Sequence, residues 1–399
     1  SGTYGFRRKH IYSVDLYRWM MRIAMMTDSW FPTRDGVVTS ITIIKESLKA
    51  LGHEVFIVAP EPEKEFRQEG VYYFPAVRFR SYEGYYVPIL PSNKMEILRE
   101  IDPDVIHIHG VATMALRGLI CGHELGTPTV MTFHTMVDDA AKYYSPIKIP
   151  PETMEKLIWI YLRQILKRMD VVVTPTACIG EELRSRGAIC RNLVTIPTGT
   201  NTAEFHPGIA SDDIRRRHGL EGRRVAIHVG RISYEKELEM VVRAMRRIDA
   251  TLLVAGKGPA KADIEKLVKD LGLQDKVVFA GFVPDSELPA YYNAADIAVS
   301  ASKFETQGLS ILEAMASGKP VACRNGRAFA EIVHDGVNGY LFDDVDGCVE
   351  AMEKAFDAPA EVREASLKTA LDNSRDRSAR LYVDAYGLAI ETRKERCRK

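Results

Sequence analysis

Short apolar runs rich in Val, Ile, Leu and Ala recur along the chain, each separated from the next by a longer amphipathic stretch. One series runs Ile23–Thr27, Val55–Ala59, Val105–His109, Thr129–Phe133 and Val171–Thr174. A second runs Val225–Val229, Leu252–Ala255, Val277–Ala280 and Ile297–Ser300. Runs this short and continuous predict strands buried on both faces. Their alternation with helical stretches predicts an α/β protein with parallel sheets covered on both sides.

Between the series lies the polar stretch "NTAEFHPGIASDDIRRRHGLEGRR", punctuated by Pro207, Gly208 and Gly219. It divides the chain into two Rossmann-like domains, with a linker near Asn201–Pro207. The expected order is an extension over residues 1–20, an N-terminal domain over 21–203, a C-terminal domain over 204–376, and a helix over 377–399 that crosses back to the first domain. Open parallel sheets bind ligands beyond the carboxyl ends of their strands, so two such domains face each other across a cleft. Met21 reads as a natural start. What precedes it is either added sequence or a short helix over Ile11–Arg22 that lays Tyr12, Tyr17, Arg18, Trp19 and Arg22 on a membrane surface.

Composition narrows the class. With 46% hydrophobic content over 399 residues the chain has enough apolar sequence for cores in two domains, which excludes wholesale disorder. Its 54 Lys+Arg balance 54 Asp+Glu, so it lacks the basic footprint of a nucleic-acid binder, and no nucleic-acid partner is expected. No stretch approaches the roughly 20 apolar residues of a membrane span, and no signal-peptide pattern opens the chain. A cytoplasmic protein, soluble or peripheral on the inner membrane face, is expected. Cys121, Cys178, Cys190, Cys323, Cys348 and Cys397 include no CxxC pair, which suits reduced thiols used for packing.

The sharpest chemical signal is "SKFETQGLSILEAMASGKPV". Glu305 ends a loop after a strand, Gly308 opens a helix, and Glu313 falls inside it. A helix start offers unpaired N–H groups and a positive dipole end to phosphate. Glu313 is placed to take two vicinal ribose hydroxyls and Glu305 those of a second sugar; alternatively Glu305 is a helix-entry residue and Glu313 a solvated one. In "AIHVGRISYEKELEMV", Gly230, Arg231 and Lys236 follow a strand. Two cations there suit a diphosphate, Arg231 as a fork of donors and Lys236 as a compact charge, or else form surface ion pairs with Glu235 or Glu237.

Weaker signals surround these. "VAGKGP" brings Gly256 after another strand, but without the third glycine of a dinucleotide fingerprint, which argues against a nicotinamide-dependent dehydrogenase. "FPTRDGVVTSI" places Gly36 and Val37 at a loop and helix start facing the cleft. His134, just past a strand end in "TVMTFHTM", either meets a sugar hydroxyl or is a satisfied structural histidine. His107 and His109 share one strand face; with no third ligand at suitable spacing they read as strand-end packing rather than a metal site.

In order and spacing, "DSWFPTRDGVVTSI", "HIHG", "TFHT", "IPTGTNTAEFHP", "HVGRISYEK", "VAGKGP" and the frame Glu305 to Glu313 make the chain resemble the retaining glycosyltransferases of family four, from about Met21 almost to the C-terminus. The resemblance implies the GT-B architecture and a nucleotide-diphosphate hexose as donor, UDP- or GDP-linked. It implies Arg231 and Lys236 on the diphosphate, Glu313 on the ribose and Glu305 on the hexose. Gly308 and Leu309 would offer backbone amides, His134 would meet the sugar, Gly36 would line the acceptor and phosphate side, and Phe282 and Val283 would back the nucleobase. Gly230 and Gly256 belong to the same donor surface. No metal or cofactor is expected. One departure stands out: where many members read N-G-[VI]-D, this chain has Thr198, Gly199, Thr200 and Asn201.

The strings "DGVVTSI", "TFHTM" and "ETQGL" look most like the branch that glycosylates diacylglycerol and related membrane alcohols. Two local features agree. The segment from Tyr72 to Tyr86 interleaves Tyr72, Tyr73, Phe74, Phe79, Tyr82, Tyr85 and Tyr86 with Arg78 and Arg80, residue types that settle at an anionic membrane interface. The stretch "PETMEKLIWIYLRQILKRM" spreads apolar residues, Trp159 among them, over more than one helical stripe beside Lys156, Arg163, Lys167 and Arg168. Each is equally readable as ordinary packing on the N-terminal sheet. The reading is a retaining, metal-independent hexosyltransferase with a lipid or lipid-linked acceptor. Its rivals are a transferase with a soluble acceptor, a nucleotide-sugar epimerase and a non-catalytic nucleotide-sugar binding module.

Overall fold

The computed structural model describes residues 20–33, 35–78, 86–88, 95–134 and 150–398. Its strands are β1 (Arg22–Met26), β2 (Glu54–Pro60), β3 (Val71–Phe74), β4 (Ala76–Arg78), β5 (Tyr86–Pro88), β6 (Val105–Ile108), β7 (Thr129–Thr132), β8 (Val171–Thr174), β9 (Leu193–Thr195), β10 (Val225–Val229), β11 (Thr251–Ala255), β12 (Val277–Gly281), β13 (Ile297–Ser300), β14 (Val321–Arg324) and β15 (Tyr340–Phe342). The described helices are α1 (Gly36–Ala50), α2 (Met95–Ile101), α3 (Thr113–Glu124), α4 (Pro151–Leu166), α5 (Ala177–Ser185), α6 (Asp212–His218), α7 (Leu238–Ala244), α8 (Lys261–Asp270), α9 (Leu288–Ala294), α10 (Leu309–Ala316), α11 (Arg327–Ile332), α12 (Val345–Phe356), α13 (Ala360–Asp372) and α14 (Arg375–Cys397).

Two parallel sheets result, as the alternating pattern requires. The first has seven strands in the order β3-β2-β1-β6-β7-β8-β9; the second has six in the order β12-β11-β10-β13-β14-β15. Both are buried on both faces because alternate residues enter different cores. In β1, Ile23 and Met25 join Ile41, Ile44 and Tyr386 on one face, while Ala24 and Met26 join Ile108, Met131 and Trp159 on the other. In β10, Val225 and Ile227 face one layer and Ala226 the other. Each sheet reverses its strand order at its first strand, β1 or β10, and there the loops part to leave a crevice.

The last helix, α14, leaves the second sheet and covers the first, burying Tyr382, Val383, Tyr386 and Ala389. Its far end is held by charge: Arg393 and Arg396 reach the buried Asp170 carboxylate at 3.2 and 2.9 Å. A buried carboxylate with two guanidinium partners costs far less than one left alone.

Several local expectations are corrected. Arg22 begins β1, its backbone N–H donating to Asp104 at 2.8 Å, so it does not end a surface helix; the remainder of that helix, with Tyr12, Tyr17, Arg18 and Trp19, lies outside the described residues. Tyr72, Tyr73 and Phe74 form edge strand β3, with Tyr73 and Phe74 buried and Tyr72 edge-on to Phe56, so they are sheet packing and no membrane surface. Phe79, Arg80, Tyr82 and Tyr85 lie outside the described residues. Trp159 is buried beneath the Arg186 guanidinium. Cys397 is exposed near the end of α14, so it is not a packing residue, whereas Cys121, Cys323 and Cys348 are buried. No described helix is long and apolar enough to cross a membrane.

Candidate active site

The loops after β1, β6, β7, β10, β11, β12 and β13 converge on one cleft of about 1950 Å³ between the two sheets. Gly36, His134, Gly230, Arg231, Lys236, Gly256, Phe282, Val283, Glu305, Gly308, Leu309 and Glu313 all line it.

Lys236 and Glu305 meet. Lys236 sits in a 3-10 turn after β10, Glu305 in the loop after β13, and the ammonium donates to Oε1. Burial alone would push the Glu305 carboxyl up; the charge and hydrogen bond of Lys236, with help from Ser302 and His228, carry it below the ordinary carboxylate value. Neither Glu235 nor Glu237 takes Lys236: Glu235 accepts from Ser233 at 2.6 Å and Glu237 from Arg324 at 2.8 Å. Arg231, half-buried on the same rim, has its pKa lowered by burial, opposed by Glu235 and by Asp35 across the cleft.

Gly308 stands at the start of α10 with φ +78, and no side chain caps the helix. A Cβ there would lie 2.3 Å from the Phe329 ring, so backbone conformation and close packing both demand glycine. The open N–H groups and dipole end therefore face the cleft beside Lys236. The start of α1 is different. Asp35 Oδ1 accepts from Val37 and Val38 at 2.9 Å, so this helix is already capped by a carboxylate; no atom stands within 4 Å of where a Gly36 Cβ would be, and Gly36 supplies room.

Glu313 is buried inside α10 rather than solvated, and Tyr292 from α9 is its partner at 2.9 Å. Phe282 is exposed after β12, with the Lys257 ammonium 6.0 Å from its ring centre, while Val283 turns into the core. Gly256 packs so tightly that its Cβ would meet the Gly230 carbonyl at 1.8 Å, which locks the loops after β10 and β11 together. Asn201 donates to Glu204 at 2.9 Å, and Glu204 lines the cleft close enough to raise the Glu313 pKa; a carboxylate thus stands three residues beyond the departed motif position.

Thr306, Gln307, Glu331 and Asp28 had no signal of their own. Thr306 donates to the His134 carbonyl at 2.8 Å and accepts, through its own carbonyl, from Thr176 at 2.9 Å; Gln307 accepts from Thr198 N at 2.8 Å. The loop that carries Glu305 is thereby stitched to the opposite domain. From α11, Glu331 accepts from Ala177 and Cys178 at 2.9 and 2.8 Å, capping α5 across the boundary. Asp28 does the same for α3 within the first domain, accepting from Ala112, Thr113 and Met114. His107 is closed off by Tyr386 at 2.8 Å and Thr132 at 2.7 Å, so it has no nitrogen for a metal, whereas His109 bonds His134.

Residues 34–204 match the model described as Glycosyltransferase Family 4, and residues 210–370 match that described as Glycosyl transferases group 1. Among curated relatives, the alpha-monoglucosyldiacylglycerol synthase of Streptococcus pneumoniae is 31% identical over 92% of this chain and 86% of its own. The protein of the same name from Acholeplasma laidlawii is 30% identical over 81% of this chain and 85% of its own. Among solved structures, Anabaena HepE in complex with UDP-glucose superimposes with a TM-score of 0.70 at 17% identity, covering 92% of this chain and 99% of that one, a likeness of fold. Two parallel-sheet domains facing a cleft, the ordered motifs on its walls, and relatives that align over most of both chains leave one assignment: the chain belongs to glycosyltransferase family 4.

Proposed function

We propose that this protein is a retaining hexosyltransferase that moves a hexose from a UDP- or GDP-hexose to a hydroxyl of a membrane lipid or lipid-linked acceptor, without a metal in the chemistry. One observation carries the reading: the Lys236–Glu305 pair, Arg231 and the uncapped start of α10 meet in a single cleft whose opposite wall is His134. As the bond from sugar to diphosphate breaks, negative charge gathers on the leaving group. Two side-chain cations and a helix start favour that charge more in the transition state than in the ground state, the compensation a metal ion supplies elsewhere. Glu305, committed to Lys236, positions the hexose, and the leaving phosphate takes the acceptor proton on the same face, which retains configuration. Glu313 takes the ribose, Leu309 offers a backbone amide, and Phe282 with Val283 backs the base. Loops bonded across the cleft exclude water and limit donor hydrolysis.

The lipid side rests on the two curated relatives and on a surface. Leu116 and Ile120 of α3 and Leu157, Ile160 and Tyr161 of α4 are exposed, while Trp159, Leu162 and Ile165 on the other stripe of α4 enter the core. Exposed Lys156, Lys167 and Arg168 flank them. An apolar face edged with cations suits the surface of an anionic bilayer and a peripheral, inner-face location. The test is incubation with UDP-glucose, UDP-galactose or GDP-mannose and vesicles containing diacylglycerol, with EDTA present. Nucleotide release that requires the lipid, with an α-linked glycolipid as product, is expected. Donor consumption indifferent to lipid, or an inverted product, overturns the reading.

A further inference from the structure

His109 and His134 follow neighbouring parallel strands, β6 and β7, and end side by side on the cleft wall. His109 Nδ1 is 2.9 Å from His134 Nε2, with the rings 5.2 Å apart and 22° from parallel. His109 is 3% exposed, and its other nitrogen, Nε2, is buried with no hydrogen-bond partner among the described residues. Its neighbour on the same strand face makes the contrast: His107 lies against it, ring centres 3.9 Å apart and tilted by 40°, with both nitrogens satisfied. A buried ring nitrogen left open beside one that is fully bonded, in the wall of a substrate cleft, points to a partner that arrives with the substrate.

The bond between the rings makes them one unit. Burial holds both imidazoles well below the ordinary histidine value, His134 at about 4, so both are neutral and share two protons. One proton lies in the Nδ1–Nε2 bridge. If it belongs to His109, then His109 Nε2 is a bare acceptor and His134 carries its single N–H at Nδ1. If it belongs to His134, the reverse holds: Nδ1 of His134 is bare and Nε2 of His109 is the donor. One outer nitrogen always donates and the other accepts, and whatever bonds to one end sets the other.

We propose that His109 is a substrate-binding residue whose Nε2 takes a substrate hydroxyl in the cleft, and that through its bond to His134 it sets which nitrogen of that ring carries the proton. The hydroxyl belongs to the transferred hexose or to the acceptor. This rests on the hexosyltransferase reading of the cleft.

The experiment uses the full chain, labelled with 15N at histidine. In the wild type, His134 shows one dominant tautomer, and UDP-glucose, GDP-mannose or diacylglycerol vesicles shift the His109 Nε2 resonance. His109→Ala returns His134 toward a mixture of tautomers and raises the KM of the bound substrate about tenfold, the loss of one hydrogen bond, while His109→Gln, which retains a polar group, recovers part of the KM but not the tautomer. A rise in donor KM assigns the hexose; a rise confined to the acceptor assigns the lipid. No shift of Nε2 with any of these probes, or KM values for both substrates within twofold of wild type in a folded His109→Ala, overturns the proposal. The resonance in the wild type decides even where the variant fails to fold. A wild type without turnover on any donor would count against the proposed function, whereas the tautomer of His134 with and without His109 still decides the coupling.

Discussion

The Tyr292 hydroxyl lies 2.9 Å from Glu313 Oε2 and 2.9 Å from the Ser310 carbonyl. A phenol has one hydrogen, so it serves both neighbours fully only when Glu313 is protonated and donates to it. Burial is the main cause that pushes Glu313 up to about 7; the Tyr292 bond opposes it, and Glu204 and Asp285 add to the push. The candidate ribose site is therefore poised between two protonation states near neutrality.

Two ribose hydroxyls donate best to an ionised carboxylate, so donor binding should deepen as Glu313 loses its proton. The donor KM is expected to rise as pH falls from 8 to 6, approaching tenfold per unit once well below 7, and Glu313→Gln should flatten the profile. The effect on stability has the opposite sense. Between 4.5, the ordinary value, and about 7 the folded state holds a proton that the unfolded chain has released. Stability from this group is present at low pH and is lost as pH rises through 7, by roughly 3 kcal/mol in all. Thermal unfolding at pH 8 should find Glu313→Gln more stable than wild type; a pH-independent donor KM in wild type would end the assignment.

Arg231→Ala and Lys236→Ala should each lower kcat by about a hundredfold or more, since the lost interaction falls on transition-state charge. Lys236→Ala has a second consequence. Without the ammonium, burial is opposed only by the smaller effects of Ser302 and His228, and the Glu305 pKa should rise. Single-turnover nucleotide release reads the first effect and the pH dependence of kcat the second. Unchanged rates in both variants would remove the diphosphate role from these residues.

Much of the fold was legible because a β-branched run buried on both faces has few other readings; all nine strands anticipated are present. The strands not anticipated are short and carry mixed signals. Val71–Phe74 has the aromatic and polar mix of a membrane interface, yet pairing with β2 turns Tyr73 and Phe74 inward. Val321–Arg324 ends in a buried arginine whose charge is met by the half-buried Glu237 at 2.8 Å. Position after a strand was enough to place Arg231, Lys236, Glu305 and His134 on the cleft one at a time. Their partners were not readable: Lys236 and Glu305 are 69 residues apart, His109 and His134 are 25 apart on adjacent strands, and nothing in the local pattern of α9 marks Tyr292 as the residue that meets Glu313.

Glu331 bridges the two domains. The residue before α5, Thr176, spends its hydroxyl on the Thr306 carbonyl, so the first N–H groups of α5 are capped from the other domain. Glu331→Ala should weaken the closed state by about 1 kcal/mol, the worth of a lost cap, a shift of roughly fivefold toward open forms. Small-angle scattering should show a larger radius of gyration without donor, and donor hydrolysis in the absence of acceptor should rise. An unchanged radius would mean that the contacts of Thr306 and Gln307 suffice to hold the domains.

The exposed stripe of α4 offers a test of membrane docking that leaves the cleft alone. Leu157 and Ile160 are 52% and 57% exposed, and neither belongs to the core that Trp159, Leu162 and Ile165 enter from the same helix. Replacing both by Asp removes apolar area and adds two negative charges beside Lys156. On an anionic vesicle these changes act in the same direction, since each buried side chain contributes about 1.5–3 kcal/mol when fully withdrawn from water and charge near the surface about 1 kcal/mol per unit. Vesicle sedimentation should show binding reduced at least tenfold for Leu157→Asp/Ile160→Asp, with the melting temperature within a few degrees of wild type. Turnover should fall for acceptor in vesicles and stay near wild type for a short-chain acceptor dispersed in detergent. Equal losses with both acceptors would place the damage in the fold, and equal vesicle binding would assign the stripe to some other role.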